Sequence, residues 1–241
     1  MPRIVIVAAL EREVRPLIDG WSRKSVPLVR DGWKSKASFF ERESALVVCS
    51  GIGQDAALMA ADAALAKSGA QVLVSAGFAG ALQPEGRVAD VLCPALVVGA
   101  ESGERFNTLG GRGTLVSSRQ VVQSREKRQF GARFGAEAVD MEAVAVAALA
   151  QQRAVGFLAV KAISDELDSD LPPVGRFVDR AGRFQATRFV AHLAIRPHLW
   201  PMVRRLARDS ERAARALCRQ LELLLTDEGF ESFVRGRARS A

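Results

Sequence analysis

An α/β sandwich built on a mixed, mostly parallel central sheet is the fold this sequence predicts, and three observations point to it. Strand-like apolar runs alternate with stretches of helical periodicity, the pattern of sheet strands joined by crossing helices. One run, Val155-Gly156-Phe157-Leu158-Ala159-Val160-Lys161-Ala162-Ile163, is almost continuously apolar, as a parallel strand covered on both faces should be. The 241 residues, 49% hydrophobic and 25% charged with a mean hydropathy of +0.07, suffice to bury one sizeable core, and no internal repeat divides them.

The elements follow in order. Arg3 to Ala9 predicts an opening strand and Glu11 to Ile18 a first helix. Ala45 to Cys49 predicts a strand, Gly51 and Gly53 a sharp turn, and Ala56 to Ala66 an alanine-rich helix. Val72 to Ser75 repeats the pattern, with Gly77 and Gly80 expected to turn the chain. Because Gly51-Ile52-Gly53 lacks a further glycine three residues on, it is no dinucleotide fingerprint. The polar, glycine-rich stretch Ala100 to Gly113 reads as a connecting loop.

Two carboxylates fall at strand ends. Glu137 to Asp140 predicts a short strand leading into a helix from Met141 to Gln152, with Glu142 in its first turn, where the helix dipole favours negative charge. The long apolar strand gives way to Ser164-Asp165-Glu166, and ligands of open α/β sheets bind outside the carboxyl ends of strands. From spacing alone, helix and turn capping account for Glu142 and Asp165 equally well. Glu13, taken alone, reads as a solvated residue of the first helix.

Cys49, Cys93 and Cys218 are far apart, and His192 and His198 add no metal-ligand spacing. Sparse, unpaired thiols, no secretory leader pattern, and no apolar run of the roughly 18 residues needed to span a bilayer lead to the expectation of a cytoplasmic protein. The formal charge of +7 sits entirely in the last part: residues 171–241 hold 14 Lys and Arg against 7 Asp and Glu, while residues 1–170 hold 20 of each. There Leu199, Trp200, Met202, Val203, Leu206, Leu217, Leu221 and Leu224 recur at helical spacing among arginines. A packed helix with a solvated basic face is one reading, and a basic amphipathic surface for anionic lipid at the inner membrane face is the other. Few aromatics interleave with the arginines, so a nucleic-acid partner is not expected. The polar, arginine-rich residues 229–241 read as a disordered tail.

Five blocks stand in a fixed order: Ile4-Val5-Ile6-Val7-Ala8-Ala9-Leu10-Glu11-Arg12-Glu13-Val14, Ser50-Gly51-Ile52-Gly53, Ser75-Ala76-Gly77-Phe78-Ala79-Gly80-Ala81-Leu82, Asp140-Met141-Glu142-Ala143 and Ala162-Ile163-Ser164-Asp165. Through them the chain resembles the nucleoside phosphorylase and nucleosidase family, which includes methylthioadenosine/S-adenosylhomocysteine nucleosidase. The resemblance implies one catalytic domain over residues 1–228, folded as a nucleoside phosphorylase-like three-layer sandwich. It also implies a homo-oligomer and a reaction that needs neither metal nor organic cofactor.

Breaking a purine N-glycosidic bond builds oxocarbenium character on the ribose while the base gathers negative charge, so acids with different environments can divide the work. The resemblance implies that Asp165, aided by Ser164, protonates N7 of the purine. Glu142 would accept the ribose hydroxyls with Met141 packed under the sugar, and Glu13 would activate the attacking water. Ala9, Gly51, Gly53, Gly77 and Phe78 match substrate-contacting positions. Val121 and Val122 lie near the base-contact segment, with core packing as their alternative. In the phosphorylase branch an arginine and a serine flank the glycine of the third block, and here the positions hold Ser75 and Phe78, a poor cradle for a dianion. Lys161 stands where an arginine is common, and it could partner a buried carboxylate. Hydrolysis, releasing adenine from a 5'-substituted adenosine, is therefore expected. The alternatives are a phosphate-dependent phosphorylase and an inactive nucleoside-binding or membrane-associated protein. Asp170-Leu171-Pro172-Pro173, Gly182-Arg183-Phe184 and the basic helix resemble a hopanoid-associated branch that would act on adenosylhopane.

Overall fold

The computed structural model describes residues 3–30 and 33–169, the single positions 177 and 185, and residues 200–235. In chain order the elements are β1 (Ile4–Ala8), α1 (Glu11–Ile18), β2 (Ser22–Arg30), β3 (Trp33–Arg42), β4 (Ala45–Cys49), α2 (Gln54–Ser68), β5 (Val72–Ala81), β6 (Val91–Leu92), β7 (Leu96–Gly99), β8 (Arg105–Asn107) and β9 (Thr114–Ser117). They continue as α3 (Ser124–Phe134), β10 (Ala138–Asp140), α4 (Ala143–Gln152), β11 (Gly156–Asp165), α5 (Trp200–Leu224) and α6 (Asp227–Arg235).

The strands form one sheet in the order β2-β3-β4-β1-β5-β10-β9-β7-β8, with β11 on β5 and β6 on β11. The centre is parallel: β1 runs with β4 and β5, and β11 with β5. The β2-β3-β4 meander, the β7-β8 pair and the β10-β5 contact are antiparallel. The sheet is thus mixed with a parallel core, flanked by helices on both faces, as the alternation of the sequence predicts.

Strand β5 organises the molecule. Along one edge it pairs with β11 from Val72 to Gly80. Along the other it pairs with β1 from Val72 to Ser75, and then with β10 at Gly80 and Ala81. Its successive side chains alternate between two cores. Leu73, Ala79 and Ala81 join the cluster under α2 and α4, whereas Val72, Val74 and Ala76 join the one under α1 and α5. Small residues let the first of these close tightly, with Ala57, Ala60, Ala61 and Ala64 of α2 all buried against a helix that itself buries Ala143, Ala147 and Ala150.

Three expectations change. Gly77 and Gly80 do not end a strand but lie within β5. The helix expected from Met141 begins at Ala143, leaving Glu142 as its N-cap. The tail expected to be disordered from Gly229 is helical through Arg235. Ala100 to Gly113 connects β7 to β9 as anticipated, with the short β8 inside it. Asp170 to Pro173, Gly182 to Phe184, His192, His198, Leu199 and residues 236–241 lie outside the described residues.

Candidate active site

Lys161 is placed by β11 directly opposite Gly77 of β5 and is fully sealed from solvent. Its Nζ lies 2.8 Å from Asp140 Oδ2 and donates to Ser75 Oγ at 3.0 Å. Asp140 ends β10, where Oδ1 accepts the Ser117 hydroxyl and Oδ2 accepts Ala143 N–H at 2.9 Å. Ser117 Oγ in turn accepts Val144 N–H at 3.0 Å. Together Asp140 and Ser117 take amide protons that the first turn of α4 cannot bond internally, which is why that helix starts where it does.

Two more carboxylates face the same ammonium. Glu142, half-buried, accepts Gly53 N–H on Oε1 at 2.8 Å, tying the start of α2 to that of α4. Burial and the neighbouring Asp140 charge push its carboxyl up to about 7. Glu13, 6% exposed on α1, accepts Leu10 N–H at 3.3 Å. Its carboxyl is raised by burial, a rise that the Leu10 amide and Lys161 partly offset. Burial would lower Lys161, but Asp140, Glu142 and Glu13 outweigh it and hold the ammonium protonated above its ordinary range. One cation therefore serves three acids. Asp140 pairs with it directly, and Glu13 and Glu142 keep protons more tightly than free carboxyls do.

Gly77 makes room for this group. Its φ of +149° disfavours any side chain, and an added Cβ would sit 3.0 Å from Glu13 Oε2 and 3.8 Å from Lys161 Nζ.

Asp165 stands farther along the same two strands, past an irregularity in the β11 register between Ile163 and Asp165. Ser164 donates to its Oδ1 at 2.7 Å, and the buried Lys127 of α3 reaches its Oδ2 at 2.5 Å. Gly80 is the clearance here, since a Cβ would meet Asp165 Oδ2 at 2.8 Å and Lys127 Cε at 3.1 Å. Gly77 and Gly80 are three residues apart on one strand, so the two acidic groups are separated by roughly 10 Å along β5.

The expected residues thus fall into groups. Glu13, Gly53, Gly77 and Glu142 gather around Lys161. Ala9 is buried, and its carbonyl accepts Gly51 N–H at 2.9 Å, joining the ends of β1 and β4 beside them. Met141 is half-buried between β10 and α4. Ser164 and Asp165 form the second group. Phe78, half-buried, packs one side against the apolar cluster beneath α1 and α5, whereas Val122 is buried with Leu82, Val98, Val116 and Val139, as its core-packing alternative has it; Val121 beside it is half-buried. Lys127 was not anticipated, because Arg125, Lys127 and Arg128 together look like the solvated face of a helix. Among the described residues no three His, Cys, Asp or Glu side chains cluster as metal ligands, and no helix is long and apolar enough to cross a membrane.

The Phosphorylase superfamily model matches residues 3–111 and 100–193, and the chain belongs to that superfamily. Among curated proteins none matches significantly. Solved structures share the fold. The methylthioadenosine/S-adenosylhomocysteine nucleosidase of Neisseria meningitidis, in complex with methylthio-immucillin-A, superposes with a TM-score of 0.66 at 19% identity over 90% of this chain and 96% of that one. Futalosine hydrolase of Helicobacter pylori gives 0.63 at 19% identity over 91% and 95%. The Campylobacter jejuni methylthioadenosine/S-adenosyl homocysteine nucleosidase gives 0.62 at 17% identity over 92% and 99%.

Proposed function

We propose that this protein is a purine nucleosidase that cleaves the N-glycosidic bond of a 5'-substituted adenosine and releases adenine, with water as nucleophile. The observation that carries the reading is the gathering of Glu13 and Glu142 around the buried Lys161, with Asp165 farther along the same strand pair. The nucleosidase structures that share the fold support it.

In this reading the C1'–N9 bond breaks with its electron pair moving to the base, and Asp165 delivers a proton to N7 as charge builds there. Ser164 holds the other carboxylate oxygen. Glu142 accepts the ribose hydroxyls, which stiffens the sugar as it takes on positive character. A water bonds to C1' and gives its proton to Glu13, whose raised affinity for protons suits it to that task. Lys161 keeps the acids from repelling one another and orients Ser75. Met141 packs beneath the sugar, and Ala9, Gly51, Gly53 and Gly77 bring backbone close to the nucleoside. Phosphate is disfavoured as nucleophile because Phe78 contributes no donor where a dianion would need one.

The 5' substituent we propose is an extended apolar group such as that of adenosylhopane. Helix α5 supports this: Trp200 and Met202 are 45% and 37% exposed at its start, beside exposed Arg204, Arg205 and Arg208, a surface suited to anionic lipid on the cytoplasmic side. A homo-oligomer, as the resemblance implies, is part of the same proposal. The test is adenine release from adenosylhopane, methylthioadenosine and adenosine, each with and without phosphate. Phosphate-independent release with adenosylhopane preferred supports the full reading. Preference for methylthioadenosine removes the apolar substituent, strict phosphate dependence removes water, and no release from any removes the enzyme.

A further inference from the structure

Buried cations are rare unless paired, and beside the Lys161 group the described residues hold a second one that the reaction above does not employ. Lys127 projects from α3 and is 0% exposed. Its Nζ lies 2.5 Å from Asp165 Oδ2, 2.8 Å from the Glu166 carbonyl oxygen and 3.5 Å from that of Ser169. Three acceptors meet three ammonium protons, leaving none for a ligand. Lys127 therefore acts on Asp165 and on the turn that follows β11, not on substrate.

We propose that Lys127 is the positioning residue that holds Asp165 for the departing base and stabilises the carboxylate left when its proton goes, an inference that rests on the nucleosidase reading above. An ammonium at this distance favours the carboxylate over the carboxylic acid. When Asp165 gives its proton to N7, the carboxylate left behind forms a full ion pair with Lys127 in a site shielded from water, and that pair stabilises the side of the transfer on which the base is protonated. The balance is simple: the O–H bond of Asp165 breaks, an N7–H bond forms, and Lys127 keeps all its protons.

The surroundings leave Lys127 as the dominant charge on this carboxylate. Ser164 of β11 supplies a neutral hydroxyl to Oδ1, and β5 offers Gly80, which has no side chain. Glu166 turns its carbonyl to Lys127, and Arg128 of α3 pairs with Asp168 at the surface. Lys161, the next cation along β11, is engaged by Asp140.

The experiment measures kcat and KM of adenine release, corrected for the folded fraction read from thermal melts, for the native protein, Lys127→Met, Lys127→Gln and Lys127→Arg, using whichever of adenosylhopane or methylthioadenosine the native protein cleaves. Removing the charge should lower kcat per folded molecule at least about tenfold with KM little changed, because the carboxylate left by proton transfer loses its charged partner. Lys127→Arg should keep the native kcat, and Lys127→Gln, which keeps a donor without charge, should follow Lys127→Met even if the methionine variant folds poorly. A native kcat per folded molecule in Lys127→Gln, with only thermal stability reduced, overturns the proposal. If the native protein cleaves neither nucleoside, the nucleosidase reading itself fails and the dyad falls with it.

Discussion

Lys161 Nζ lies 2.8 Å from Asp140 Oδ2, with side chains 1% and 0% exposed, so the floor of the candidate site is an ion pair cut off from water. Such a pair contributes little net stability when intact but is costly to break, because the survivor is a buried, uncompensated charge. Lys161→Met should lose about 3–5 kcal/mol, read as a lower denaturation midpoint in urea. A loss within about 0.5 kcal/mol, the usual range for surface changes, would contradict the sealed pair.

Glu142 makes stability depend on pH. Its carboxyl rises from an ordinary 4.5 to about 7 in the folded protein, so between those values the native state binds more protons than the unfolded chain. Stability is then fully present below the lower value and declines as pH climbs through the upper one. The change amounts to at most about 3 kcal/mol. Thermal melts should show a lower midpoint at pH 8 than at pH 5, with a flatter profile in Glu142→Gln. On the proposed function that variant also loses ribose recognition, lowering kcat/KM.

Asp165→Asn separates two effects. As the proposed acid, its loss should cut turnover by about 10²–10⁴-fold. The asparagine also leaves Lys127 without a counter-charge, so the melting midpoint should fall even though the side chains have nearly the same shape. Normal turnover would remove Asp165 from the chemistry.

Glu13→Gln tests the other end. If Glu13 takes the proton of water, kcat should drop by about 10²–10⁴-fold with KM little changed, since no substrate contact is lost. A rise in KM at constant kcat would assign Glu13 to binding instead.

The two β5 glycines can be probed by a single methyl each. Gly77→Ala forces a strained backbone and presses on Glu13, and Gly80→Ala presses on Asp165 and Lys127. Each should lose activity about as severely as the acid it displaces, and a crystal structure of either variant should reveal that acid moved. Wild-type rates in Gly80→Ala would mean that Asp165 has freedom the packing denies.

Much of this was legible in the sequence because one-dimensional signals sufficed. The apolar run before Asp165 has the composition of a doubly covered strand, and β11 runs from Gly156 to Asp165 as that reading expects. The family blocks pointed to Glu13 and Glu142, which gather around Lys161, and Lys161 does partner a buried carboxylate. What escaped was set by contacts across the chain. Gly77 and Gly80 read as turns because glycine commonly turns, yet they are glycine because side chains arriving from α1 and α3 need the space. The start of α4 was misjudged by two residues because Ser117, remote in sequence, helps cap it. Lys127 looks no different from its solvated neighbours until the sheet is assembled, since nothing in a stretch of basic residues says which one points inward.

The position of β5 has a further consequence. A single ten-residue strand carries Ser75, Gly77 and Gly80 while holding β1, β10 and β11 in register and feeding both apolar cores. Slippage by one residue would swap those cores and scatter the acids in the same event. Heat inactivation and global melting should therefore coincide, with no warm intermediate that keeps its shape but has lost its chemistry.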